Sequence, residues 1–178
     1  MKTTGITIRH AEPKDAAAIA EIYNQAIRNT TATFDTEPKT EQDRLAWLQA
    51  HDARHPVLVA EQNTQVVGWA ALSPWSDRPA YADTAESSTY VAEGWRGQGI
   101  GRALKERLIE EARKVGLHTI LARVAEDSAA SLHLNESLGF ERIGTMREVG
   151  WKFGRRLDVH LMQLMLNLPT KHDTNPIK

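Results

Sequence analysis

The chain has 178 residues, 41% hydrophobic and 25% charged, an ordinary balance for one globular domain with its own core. Lys plus Arg number 22 and Asp plus Glu 23, so a formal net charge of -1 offers no bulk positive field to nucleic acid or anionic lipid. No cysteine is present, which excludes disulfides, zinc–thiolate sites and a cysteine nucleophile. No apolar run approaches the roughly 18 residues of a membrane span. The start "MKTTGITIRH" lacks the apolar stretch of a signal peptide, so the chain reads as soluble and cytoplasmic.

Ile6 and Ile8 alternate with polar residues and predict a first strand. Pro13 and Asp15 suit the opening of a helix on which Ile19, Ile22, Tyr23, Ala26 and Ile27 share a face. "NTTATFDTEPKT" reads as a loop, and Thr40 as the cap of a second helix to about Gln49. "PVLVAE" and "QVVGWAAL" predict a hairpin about the polar turn "QNTQ". A long aromatic loop, "SPWSDRPAYADTAE", leads to the strand "SSTYVAE", a glycine-rich turn and a helix to Val115 with Gly116 as its cap. "TILARVA" is a strand and "SAASLHLNESL" a short helix stopped by Gly139. "FERIGTM" and "DVHLMQLML" are late strands. Residues 1–168 read as a single domain, with 169–178 a frayed tail. Strands and helices in this order, with a mostly antiparallel start, indicate an α+β fold. His51 and His55 have the helical spacing of a metal pair, but Pro56 follows at once and no third ligand stands near, so no metal is expected.

The glycine turn carries the chemistry. Gly97, Gly99 and Gly101 alternate between a strand and a helix, an arrangement that holds phosphate on backbone N–H groups at the positive end of a helix. A P-loop needs Lys then Ser or Thr after its last glycine, and here Arg102 and Ala103 stand there. A dinucleotide fingerprint needs a third glycine at 102, where this chain has Arg102, and an acidic residue closing the next strand, which "TILARVA" lacks. R-x-x-G-x-G is met by Arg96, Gly99 and Gly101, with a tight turn free of ligand as the plain alternative.

R-x-x-G-x-G after a strand ending "YV" resembles the acetyl-coenzyme A signature of the GNAT N-acetyltransferase superfamily. "IYNQAIRNTTATFDTEP", "RPAYADTAESSTYV", "ASLHLNESLGFERIG" and "KFGRRLDVHLMQL" resemble its phosphinothricin and methionine sulfoximine N-acetyltransferase branch, from about Ile8 to Leu168. The resemblance implies a mixed, splayed sheet flanked by helices, with acetyl-CoA wedged at the splay and no metal.

It further implies a catalytic base at Glu86, whose alternative is a solvated acid beside a strand. Around the cofactor it implies Val91, Ala92 and Glu93 at the strand end, then Arg96, Gly97, Gly99, Ile100, Gly101, Arg102, Ala103 and Leu104 in the turn and first helical turn. The N–H of Val91 is the expected partner of the thioester carbonyl. Ser128, Ser131 and Asn135 share one face of the short helix and are expected to bind coenzyme A. Relatives usually carry asparagine at 128 and histidine or tyrosine at 135 in place of these. For the acceptor, Phe34, Trp75, Arg78, Tyr81 and Trp151 are candidates, with Arg78 able to hold a carboxylate. Relatives often place arginine directly after the tyrosine, where this chain has Ala82. The implied reaction is direct acetyl transfer to the amino group of a small amino acid or analogue. Another small amine, a protein N-terminus, or a non-catalytic coenzyme A module are the alternatives. A homodimer is also implied, with "VHLMQLML" and "GWKFG" at or beside its interface.

Overall fold

The computed structural model describes residues 5–166, so the expected boundary at 168 and the tail 169–178 lie outside the described residues. Strand β1 (Ile6–His10) leads through a 3-10 turn at Pro13–Asp15 into helices α1 (Ala16–Asn29) and α2 (Glu41–Gln49). Strands β2 (Val57–Gln62), β3 (Gln65–Pro74) and β4 (Thr84–Val91) follow, the last two joined by a loop with a 3-10 turn at Pro79–Tyr81. Then come α3 (Ile100–Lys114), β5 (Thr119–Ala125), α4 (Ala129–Ser137), β6 (Glu141–Lys152) and β7 (Arg155–Met165).

Local chemistry explains most boundaries. Thr40 and Asp43 form a reciprocal capping box at the start of α2: the hydroxyl accepts from Asp43 N at 3.1 Å, and the carboxylate accepts from Thr40 N at 2.8 Å. The β2–β3 turn sets Asn63 and Thr64 at φ 48° and 67°, the two positive values of a tight hairpin that follows strand twist. α2 stops at Gln49, so His51 and His55 do not share a helix. His51 Nδ1 bonds to Trp47 O, and His55 Nδ1 to Asp52.

The seven strands form one sheet in the order β1-β2-β3-β4-β5-β7-β6, antiparallel except for β4–β5. Ile19, Ile22, Tyr23 and Ile27 of α1 pack on one face against Val57, Val59, Trp69 and Ala71. Arg44 of α2 is buried there with its guanidinium 4.0 Å over the Tyr23 ring. On the other face Ile100, Leu104, Leu108 and Ala112 of α3 cover Leu58, Ala60, Ala70, Leu72 and Ile120. Each such side chain, fully buried, contributes about 1.5–3 kcal/mol if it is the size of Leu or Ile.

The break in the sheet lies at its one parallel pair. β4 and β5 are in register only at Thr84–Thr119, Ala85–Ile120 and Glu86–Leu121. Beyond that, β4 runs on to Val91 paired with β3 alone, and β5 runs on to Ala125 paired with β7 alone. The two strands therefore part immediately after Glu86, giving the mixed, splayed sheet flanked by helices.

Candidate active site

The strand register fixes which backbone groups look into the gap. Ala92 N donates to Val67 O at 2.9 Å, so the Gly68–Val91 pair is of the non-hydrogen-bonded kind. Val91 and Thr89 thus turn their N–H and C=O groups away from β3, toward the side that β5 has left. Ala92 N is spent on β3, and Glu93 N donates to Gln25 Oε1 at 2.9 Å. Of the three expected strand-end residues, Val91 keeps an N–H with no partner among the described residues, and Ala92 and Glu93 do not.

The turn that follows is built of left-handed glycines. Gly97 and Gly99 have φ 75° and 83°, conformations that a side chain would strain, so the turn itself requires both. Gly101 is different. It is helical, and a Cβ there would meet only Val91 Cγ2 and Leu134 Cδ2, each at an ordinary 3.7 Å. The fold does not need that glycine, and its bare backbone faces the place where α3, β4 and α4 converge. Gly99 caps α3, and Ala103 N already donates to Gly99 O. The first helical turn therefore leaves the N–H groups of Ile100, Gly101 and Arg102 without helical acceptors. Of the other two residues expected there, Ala103 spends its N–H on Gly99 O and Leu104 buries its side chain in the core. Arg96 donates from Nε to Val91 O at 3.1 Å, and Arg102 reaches across to Ser137 Oγ on α4 at 2.6 Å.

On α4 the expected face is divided. Ser128 and Ser131 are partly exposed, but Asn135 is 1% exposed and its Nδ2 donates to Ser131 O at 2.8 Å. It stands behind the helix and not on an open face. The buried oxygens Asn135 Oδ1 and Thr89 Oγ1 have no partner among the described residues. Acetyl-CoA fits this set: free N–H groups at a helix start for a diphosphate, and unpaired strand edges for its amides.

Side chains alternate along β4. Ala85, Ser87, Thr89 and Val91 face α3, whereas Glu86, Ser88 and Tyr90 face the α1 side. On that side the α1–α2 loop is fastened over the splay by contacts sequence reasoning did not find. Tyr90 Oη donates to Ala32 O at 3.2 Å. Lys152, 4% exposed, donates to Thr30 O and Thr33 O at 2.8 and 2.7 Å. Burial lowers the Lys152 pKa from its ordinary value. Thr31 Oγ1 donates to Asp127, beyond the end of β5. Phe34 lies on Gly150 of β6.

Glu86 occupies the last paired position before the strands part, within β4 and not in the loop before it. Arg123 of β5 holds it by two parallel bonds, Nε to Oε1 at 2.6 Å and an Nη to Oε2 at 2.7 Å. The carboxylate raises the guanidinium pKa above its ordinary value. No sequence signal marked Arg123 beyond its being the one charge in "TILARVA".

The acceptor candidates separate. Trp75, Arg78 and Tyr81 lie in the β3–β4 loop, just before Glu86; Trp75 N donates to Thr84 O, and Arg78 and Tyr81 are exposed. Phe34 anchors the roofing loop. Trp151 departs from expectation: it alternates with Gly150 and Lys152, which both face the loop, so its ring points to the opposite side of β6. There it is 61% exposed, under the Arg156 guanidinium.

Residues 19–140 match the Acetyltransferase (GNAT) family. The chain is 43% identical over 169 residues to the L-amino acid N-acyltransferase MnaT of Escherichia coli, covering 94% of this chain and 98% of the relative. It is also 43% identical over 163 residues to an L-methionine sulfoximine/L-methionine sulfone acetyltransferase of Salmonella typhimurium, covering 91% and 95%. Among solved structures, an acetyltransferase from Salmonella typhimurium with its cofactor acetyl-CoA superposes with a TM-score of 0.91 at 41% identity, over 97% of this chain and 100% of that one. With the splayed sheet, the R-x-x-G-x-G turn and these likenesses together, the chain belongs to the GNAT family of acetyltransferases.

Proposed function

We propose that the protein acetylates the amino group of a small amino acid or amino-acid analogue, of the methionine sulfoximine kind, by direct transfer from acetyl-CoA. The observation that carries this is the position of Glu86: a carboxylate at the mouth of the splay, on the face roofed by the α1–α2 loop. The names of the relatives support the acceptor class.

Acetyl-CoA supplies the acetyl group as a thioester. The N–H groups of Ile100, Gly101 and Arg102 anchor its diphosphate, helped by the α3 dipole. The Val91 N–H, directed into the gap, binds the carbonyl oxygen and stabilises the charge that grows on it. Glu86 accepts a proton from the acceptor ammonium, directly or through water, leaving a neutral amine to attack. The leaving thiol is acidic enough to depart as thiolate, so Asn135, an amide, need not act as an acid.

Thiol release from acetyl-CoA, screened over L-methionine sulfone, methionine sulfoximine, phosphinothricin and simple amines, tests the proposal. The amino-acid analogues are expected to be turned over, and Glu86→Gln is expected to lose roughly 10²–10⁴ in rate at neutral pH. A Gln variant with wild-type turnover would move the base elsewhere.

We further infer a homodimer acting in the cytoplasm, where acetyl-CoA is available. Ile143, Val149 and Trp151 on the edge strand β6, with Phe153 at its turn, are each more than half exposed, which supports pairing with a second copy. Sedimentation showing an active monomer would overturn the pairing. No helix among the described residues is long and apolar enough to cross a membrane.

A further inference from the structure

Two charged side chains meet on the acceptor face, and they have opposite signs. Glu86 is 17% exposed at its side chain and Arg123 53%. The residues beside them on the same face of β4, β5 and β7 are Ser88, Leu121, Leu161 and Gln163, all uncharged. The pair is therefore a local dipole: an anion on β4 at the last rung before the splay, and a cation on β5 two residues beyond that rung.

An α-amino acid is the complementary dipole. Its ammonium and carboxylate sit on one carbon, at a separation comparable to that between the two halves of an ion pair. We propose that Arg123 is the carboxylate receptor of the acceptor: the incoming α-ammonium takes the place of the guanidinium on Glu86, and the α-carboxylate takes the place of Glu86 on Arg123. This rests on the acceptor class and on Glu86 as the base.

Charge balance favours the exchange. One bidentate pair opens and two pairs form, with no net charge brought to the site, so neither Glu86 nor Arg123 is left unpaired in a half-buried place. The planar fork of Arg123 suits a carboxylate. Its half-exposed stem can swing, whereas Glu86 is the more enclosed partner and stays. The exchange also puts the amine nitrogen on the carboxylate that is to take its proton, with one N–H bond breaking as one O–H bond forms on Glu86.

The competing carboxylate clamps are weaker on geometry. Arg78 is exposed in the β3–β4 loop, and its side chain meets no described carboxylate. Position 82 is alanine, its backbone carbonyl held by Arg54 Nε at 3.3 Å. Arg123 alone among these is already bonded to Glu86.

The test compares L-methionine sulfone with its carboxamide, which keeps the amine and side chain but has no anion. In wild type the acid is expected to be preferred in kcat/KM, by about ten- to hundredfold, the scale of a charged hydrogen-bonded pair. Arg123→Met is expected to abolish that preference, mainly by raising KM for the acid, while the amide is affected far less. Arg123→Lys should retain part of it. Arg123→Gln, with circular dichroism on each variant, covers a Met variant that folds poorly. A Met or Gln variant that keeps the full preference for the acid overturns the proposal. Equal loss on both acceptors also overturns it, since Arg123 would then act only by holding Glu86. A wild type that acetylates simple amines and neither sulfone fails at the acceptor class itself, and that outcome is separable because it appears before any variant is made.

Discussion

The Phe34 ring lies directly on the backbone of Gly150, so close that a Cβ at 150 would stand 2.1 Å from Cε2 of the ring. No flexible tip is available to yield; the whole ring must leave. Gly150 is not in a left-handed conformation, so alanine there brings no backbone strain of its own. Gly150→Ala is thus a clean way to lift one end of the α1–α2 loop. The expected result is a raised KM for the acceptor, by roughly tenfold, the scale of about one lost contact, with acetyl-CoA affinity unchanged. Isothermal titration of acetyl-CoA beside steady-state kinetics separates the two. A loss of cofactor affinity as large as the loss for acceptor would mean that the loop serves the cofactor.

Lys152 holds the same loop from below. Its ammonium satisfies the carbonyls of Thr30 and Thr33, and the Phe153 ring lies 5.1 Å away. Lys152→Met leaves two carbonyls without a donor, at a cost of about 1–3 kcal/mol each if water cannot reach them. Lower stability in chemical denaturation is expected together with a raised acceptor KM. Full stability in the Met variant would show that solvent already serves those carbonyls.

Gly101 separates ligand binding from folding. Alanine there is helical, unobstructed and better suited to a helix by about 0.5–1 kcal/mol. Gly101→Ala is expected to raise thermal stability slightly and to weaken acetyl-CoA binding about tenfold or more by covering the backbone that the diphosphate approaches. Gly99→Ala is expected to differ, costing stability because its φ is 83°. If Gly101→Ala binds acetyl-CoA as wild type does, the cradle lies elsewhere.

These contacts show why the sequence disclosed the site unevenly. "TILARVA" coincides with β5 and the glycine turn with the start of α3, because strand alternation, helix period and glycine punctuation are local properties. The start of β4 was hidden: Ala85 and Glu86 are extended because they pair on both sides, with Pro74 and Ser73 of β3 and with Ile120 and Leu121 of β5. Nothing local reports that. β6 runs on to Lys152, past the expected end at Met146, for a similar reason. Its bulge sets Glu148 at φ 53°, and Asp158 of β7 accepts from Glu148 N at 2.7 Å to hold it there. The spacing of Ser128, Ser131 and Asn135 gave a shared helical side but could not say that Asn135 is turned into the protein. Arg123 and Lys152 looked like ordinary surface charges, since their partners are 37 and 119–122 residues away.

Lys105 was equally silent in the sequence and makes a test of electrostatics in the helix that bears the cradle. It lies one turn beyond Gly101, is 4% exposed, and faces the Phe140 ring at 4.8 Å. No described carboxylate pairs with it, and burial lowers its pKa to about 7. An unfolded lysine titrates near 10.4. Between those values the unfolded chain holds a proton that the folded chain does not, so stability rises with pH across the window. As pH falls from the unfolded value toward 7 that stability is lost, at about 1.4 kcal/mol per unit, and below 7 the loss is complete and constant. Lys105→Met keeps the length and removes the charge. It is expected to be more stable than wild type by a few kcal/mol, to order of magnitude, near pH 6.5, with the gap closing toward pH 10.5. Urea denaturation of both proteins at a series of pH values measures the gap directly, and titrations common to the two cancel in the difference. A gap that stays the same at every pH would mean that Lys105 keeps its proton when folded, with water reaching the amine beside Phe140.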